Sequence, residues 1–157
     1  MRGSKNGGAF IRFVFLVYAA VMLWLLFGQR IGEEGITVYF EVDHDSLNFI
    51  PMKTIKLYLG LLRSSADKAL LRHAMINLVG NVVLFVPIGW FLPRIWVKFR
   101  SFFKTTISVV LLISAVEIIQ YFTQLGSCDI DDLILNLAGA VLGYCLWKIT
   151  ANRRSKK

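Results

Sequence analysis

Four long apolar runs, broken by short charged segments, set the pattern of this chain. A hydrocarbon core about 30 Å thick needs about 20 mainly apolar residues per helix. The runs from about Phe10 to Phe27, Met75 to Val97, Thr105 to Leu125 and Ile130 to Ile149 each reach that length. The pattern predicts four transmembrane helices in one domain over residues 1–157, an all-α polytopic membrane protein. Arg2, Lys5 and Arg12 precede the first run as in a signal peptide, but no small-residue cleavage site follows before Gln29 and Arg30, so it reads as an uncleaved anchor.

The segment between the first two runs has two parts. Gly35 to Val42 alternates apolar with polar residues, which predicts a short strand or hairpin. From Asn48 onward Phe49, Met52, Ile55, Leu59 and Leu62 recur at helical spacing, with Lys53, Lys56 and Arg63 on the other side and Pro51 in the expected first turn. That is the pattern of an amphipathic helix lying in the outer interface, as a connector or as a lid over a site.

Composition agrees with the pattern. Hydrophobic residues make up 56% and charged residues 18% of the chain, against roughly 45–50% and 25% in soluble domains. The net charge of +8 could point to nucleic acid, but the basic residues fall at the ends of apolar runs, where a bilayer accounts for them. Membrane lipids, not nucleic acids, are the expected partners.

Arg94, Lys98, Arg100 and Lys104 lie between the second and third spans, and Lys148, Arg153, Arg154, Lys156 and Lys157 follow the fourth, with no acid among them. Asp129, Asp131 and Asp132 occupy the opposite turn. By the positive-inside rule both termini are expected in the cytoplasm. Cys128 and Cys145 lie too far apart along one helix for a disulfide. No metal motif and no cofactor signature is present.

Orientation gathers the polar residues of the spans. Asn77 and Asn81 lie one helical turn apart in the second. Glu117, Gln120 and Gln124 share a stripe of the third, and Asp129, Asp132 and Asn136 repeat that spacing in the fourth. Further along the fourth span, Gly139 and Gly143 form a GxxxG pair that lets another helix approach closely and offers a route to oligomers. Glu117 is the sharpest candidate: a carboxyl within a span has no cap to make and marks a functional site by default. Its nearest basic candidates are Arg72 and His73, before the second span. Asp129 is placed to cap the fourth helix, with Asp131 and Asp132 in a first turn that favours acids. The asparagines could equally hydrogen-bond across helices as packing glue.

Four segments resemble the VanZ family: Ser46 to Pro51 (SLNFIP), Asn81 to Gly89 (NVVLFVPIG), Glu117 to Gln120 (EIIQ), and Gly126 to Asp132 (GSCDIDD) leading to Asn136 and Gly139. The matching positions are Asn48, Asn81, Glu117, Gln120, Asp129, Asp132 and Asn136. At Gly126 the chain departs from the many relatives that carry arginine there. The resemblance implies a small protein of the bacterial cytoplasmic membrane, in a family whose namesake lowers susceptibility to teicoplanin and related lipid-anchored glycopeptides. The polar residues of the spans are expected to form a pocket open to the outer leaflet, which would then bind such a glycopeptide or a lipid-linked cell-wall intermediate, with Asn48, Asn77, Asn81, Gln120, Gln124, Asp129 and Asn136 as contacts. An intramembrane enzyme using Glu117 and Asp132 as acid and base, and a proton-coupled flippase or transporter using Glu117, are the other two readings.

Overall fold

The computed structural model describes residues 3–28, 47–64, 67–123 and 128–155. Helix α1 spans Gly3–Leu23 and runs into a π-helical turn at Trp24–Gly28. A two-residue strand β1, Leu47–Asn48, leads to the short helix α2, Lys53–Arg63. Helix α3 covers Lys68–Ile95, a 3₁₀ turn Val97–Arg100 follows, and α4 covers Phe102–Phe122. Strand β2, Cys128–Asp129, opens onto α5, Ile130–Ser155.

Four helical stretches, Gly7–Phe27, Lys68–Ile95, Phe102–Phe122 and Ile130–Asn152, are long and apolar enough to cross a membrane. They match the four expected spans, with shifted ends. Helix α3 begins at Lys68, ahead of the expected Met75, and α5 continues past Ile149 to Ser155. An apolar run marks the stretch that lipid can cover, whereas a helix continues for as long as its backbone hydrogen bonds do. The strand expected at Gly35 to Val42 lies outside the described residues. Pro51 sits in the turn before α2, ahead of its first helical position.

Helices α3 and α5 make the closest pair. A Cβ on Gly139 would stand 2.0 Å from the Val82 carbonyl oxygen, and one on Gly143 would stand 1.9 Å from that of Val86. The contact steps forward along both helices together, so they run in the same direction. Gly89 returns the contact from α3: its Cβ would stand 1.9 Å from the Ala140 oxygen. Lipid tails give apolar helices no hydrophobic reason to associate, so such close backbone packing holds the pair. The expected close approach at the GxxxG pair is thus made by α3 of the same chain.

The other helices assemble around this pair. Met22 of α1, Phe85 and Ile88 of α3, Val109 and Ile113 of α4 and Ala140 of α5 form a buried cluster. The Tyr18 hydroxyl donates to the Leu84 carbonyl at 2.6 Å, and the Phe15 ring meets Phe91 and Trp96 edge-on, each at 5.6 Å. At the end of the bundle near the 3₁₀ turn, the Tyr144 hydroxyl donates to the Arg100 carbonyl at 2.6 Å. At the opposite end β1 pairs parallel with β2, setting Leu47 beside Cys128 and Asn48 beside Asp129.

Candidate functional site

The site is built where β1 and α2 meet the start of α5. Helix α2 carries no side-chain cap of its own: Met52, at its N-cap, is in the left-handed region at φ 67°. Asp131 supplies the cap from α5. One carboxylate oxygen accepts the Met52 N–H at 2.5 Å, and the other accepts those of Thr54 at 2.7 Å and Ile55 at 3.1 Å. The first N–H groups of any helix lack intrahelical acceptors. A carboxylate there satisfies them and is favoured by the helix dipole.

Asp129 carries a second set of bonds. Its Oδ1 accepts the Asp131 N–H at 2.8 Å, the bond an N-cap makes, and so starts α5. The same oxygen accepts Asn48 Nδ2 at 2.9 Å, while Oδ2 accepts the Thr54 hydroxyl at 2.6 Å. Asn48 Nδ2 also reaches Thr54 Oγ1 at 3.0 Å. Asn48, Thr54, Asp129 and Asp131 thus form one clasp between the outer segment and α5. The described residues contain no group of three His, Cys, Asp or Glu arranged to hold a metal ion.

Glu117 lies beneath this clasp. It is 5% exposed, and one oxygen accepts the Asp129 backbone N–H at 3.2 Å. The Asp132 and Asp129 carboxylates are near enough to act on it electrostatically. Asp132 accepts Asn81 Nδ2 at 2.6 Å, which joins α3 to α5. Beside Glu117 is a cavity of about 260 Å³ lined by Phe49, Ser114, Glu117, Ile118, Cys128, Asp129, Ile130 and Leu133. Ile118 and Phe49 on its rim are 53% and 67% exposed, so it opens at the bundle surface between α4 and α5. Burial raises the Cys128 thiol above its ordinary pKa, with the Glu117 and Asp129 carboxylates adding to the effect, so the thiol is held protonated.

With this geometry in view, the comparisons with known proteins become informative. A family model described as VanZ/LLP1 matches residues 13–151. The chain belongs to the VanZ/LLP1 family. Protein VanZ of Enterococcus faecium is 27% identical to it over 148 residues, covering 93% of this chain and 78% of that protein. No solved structure matches the chain. Every residue of the clasp and the cavity falls inside the matched VanZ/LLP1 region. Family and helices together describe a multi-pass membrane protein.

Within this VanZ/LLP1 fold the expected residues divide. Hydrogen bonds join Asn48, Asp129 and Glu117 across β1, β2 and α4, and Asn81 to Asp132 between α3 and α5. Gln120 is directed elsewhere: its Nε2 donates to the Leu26 carbonyl at 3.0 Å, tying α4 to the end of α1. Asn77 and Asn136 each bury a side-chain oxygen that has no donor among the described residues. Gln124 lies outside the described residues.

His73 is engaged by α2, with its Nε2 3.2 Å from the Tyr58 hydroxyl, and Arg72 is exposed. Burial, with Asp132 and Asp129 behind it, raises the Tyr58 phenol above its ordinary pKa. Thr54 and the capping role of Asp131 have no counterpart in the sequence pattern. A cap supplied from a residue more than seventy positions away leaves no local spacing to read.

Proposed function

We propose that this VanZ/LLP1 protein works in the bacterial cytoplasmic membrane, with both termini in the cytoplasm. There it lowers susceptibility to teicoplanin-type glycopeptides by binding a lipid-anchored molecule in the outer leaflet. The observation that carries the reading is the cavity beside Glu117. It has the Glu117 and Asp129 carboxyls in an otherwise largely apolar wall, and it opens sideways between two apolar helices where a lipid can enter. An ionisable group within a span is costly unless it is used, and such groups mark ligand or ion sites. The antibiotic class comes from the VanZ resemblance, and the outer-leaflet placement from the acidic turn and the basic connections.

Binding is preferred to catalysis for a geometric reason. Acid–base chemistry on one bound molecule needs both carboxyl groups within reach of it. Glu117 lines the cavity, whereas Asp132 is not among its lining residues and is held by Asn81, and Asp129, which does line it, has both carboxylate oxygens bonded to Asn48, Thr54 and the Asp131 N–H.

The test is teicoplanin susceptibility in a host without a relative of this protein, with membrane abundance measured alongside. The wild-type chain is expected to raise the inhibitory concentration severalfold, and Glu117→Gln at equal abundance to lose most of that gain. Full protection by Glu117→Gln would remove the cavity from the function.

A further inference from the structure

The walls of the cavity restrict what can occupy it. Phe49, Ile118, Ile130 and Leu133 supply apolar surface; Glu117 and Asp129 supply two carboxyl groups, and among the described residues no Lys, Arg or His lines it. Among these described lining groups, both Asp129 carboxylate oxygens are already engaged, by Asn48 and the Asp131 N–H at one and Thr54 at the other. The Glu117 carboxyl is different: among the described residues its hydrogen bond is the one from the Asp129 N–H to a single oxygen. A buried polar group is stable only when hydrogen-bonded, and a buried charge only when paired. The wall therefore has room for a donor from outside, and it would repel an anion.

Size adds a second limit. A dry cavity of about 150 Å³ takes up benzene. By proportion, about 260 Å³ holds on the order of ten carbon atoms. A glycosylated peptide is far too large, but the terminal part of an aliphatic chain fits.

We propose that the cavity takes an aliphatic amine of about this length. Its chain would lie against Ile118, Ile130 and Leu133, and its ammonium would donate to Glu117. This rests on the cavity being a lipid-facing binding site and narrows its ligands to cationic amphiphiles.

Cys128 lines the same cavity and serves as the reporter. Cys145 is the second cysteine of the chain and is exposed, so Cys145→Ser leaves a single thiol. That variant, in phosphatidylcholine nanodiscs at about pH 9, where some thiolate is present and an alkylammonium keeps its proton, would be treated with a methanethiosulfonate reagent in the presence of decylamine, decanoate or decanol, and modification of Cys128 timed by mass spectrometry. Decylamine is expected to slow modification severalfold, decanoate and decanol to have little effect, and added Glu117→Gln to abolish the decylamine protection. Equal protection by all three compounds, stronger protection by decanoate or decanol, or decylamine protection that survives Glu117→Gln would overturn the amine assignment and leave the lipid-facing cavity standing. No protection by any of them would overturn both.

Discussion

Asp131 is fully buried, and its two oxygens take the N–H groups of Met52, Thr54 and Ile55 from another helix. Replacing it with alanine removes the acceptor and leaves three donors at the start of α2 without it. Losing an N-cap costs about 0.5–2 kcal/mol, and leaving a buried donor unpaired costs about 1–3 kcal/mol. Asp131→Ala should therefore weaken the docking of α2 by roughly 2–3 kcal/mol. Amide hydrogen exchange over Lys53–Arg63 would then accelerate on the order of 30- to 100-fold. Unchanged exchange there would mean that Ile55 packing, not the cap, holds α2. The sequence placed Asp131 in the first turn of α5, where a helix dipole favours an acid, and that assignment is complete in local terms. Its second partner is visible only after the chain has folded back on itself. Asn48 and Asp129 were legible for a different reason: both fall within family motifs, and both join the clasp.

Helix–helix contact through glycine makes a prediction about α3 and α5. Gly139 faces a carbonyl oxygen of α3, and backbone cannot turn aside as a flexible side chain can. Gly139→Ala should push the two helices apart and cost about 1–3 kcal/mol, as overpacking does. Gly80, on α3, meets nothing nearer than Ile76 Cγ2 at 3.8 Å, so Gly80→Ala should be neutral or gain up to about 1 kcal/mol from helix propensity. Thermal unfolding of both variants in one detergent would separate them. Equal melting temperatures would argue against the close approach. The spanning helices were readable in advance because apolar length is a direct signature of the bilayer, and so was the close packing at GxxxG. Its partner was not, since small residues permit any helix to approach. The pairing of β1 with β2 had no signal either: two-residue strands are too short for an alternating pattern to register.

The helices also set the short charged connections at two opposite ends of the molecule. Tyr144 of α5 bonds to Arg100 in the connection between α3 and α4, which brings the last part of α5, with Lys148, to that end. Phe15 of α1 meets Trp96 in the same connection, so Arg12 and the N-terminal part of α1 belong there too. At the other end Gln120 reaches Leu26, and Asp129, Asp131 and Asp132 stand with β1 and α2. One end thus holds basic residues of the short connections without acids, through contacts that do not depend on charge, whereas Lys53, Lys56, Arg63, Lys68 and Arg72 share the other end with the aspartates. An excess of lysine and arginine in short loops marks the cytoplasmic side of a membrane. Alkaline phosphatase, which folds only outside the cytoplasm, should be inactive when fused at the N-terminus or after Lys157, and active when inserted between the first two spans. A fluorescent protein that fails to mature after export should show the reverse pattern. Phosphatase activity at the C-terminus would invert the molecule, set the Glu117 cavity in the inner leaflet, and rule out an outer-leaflet ligand.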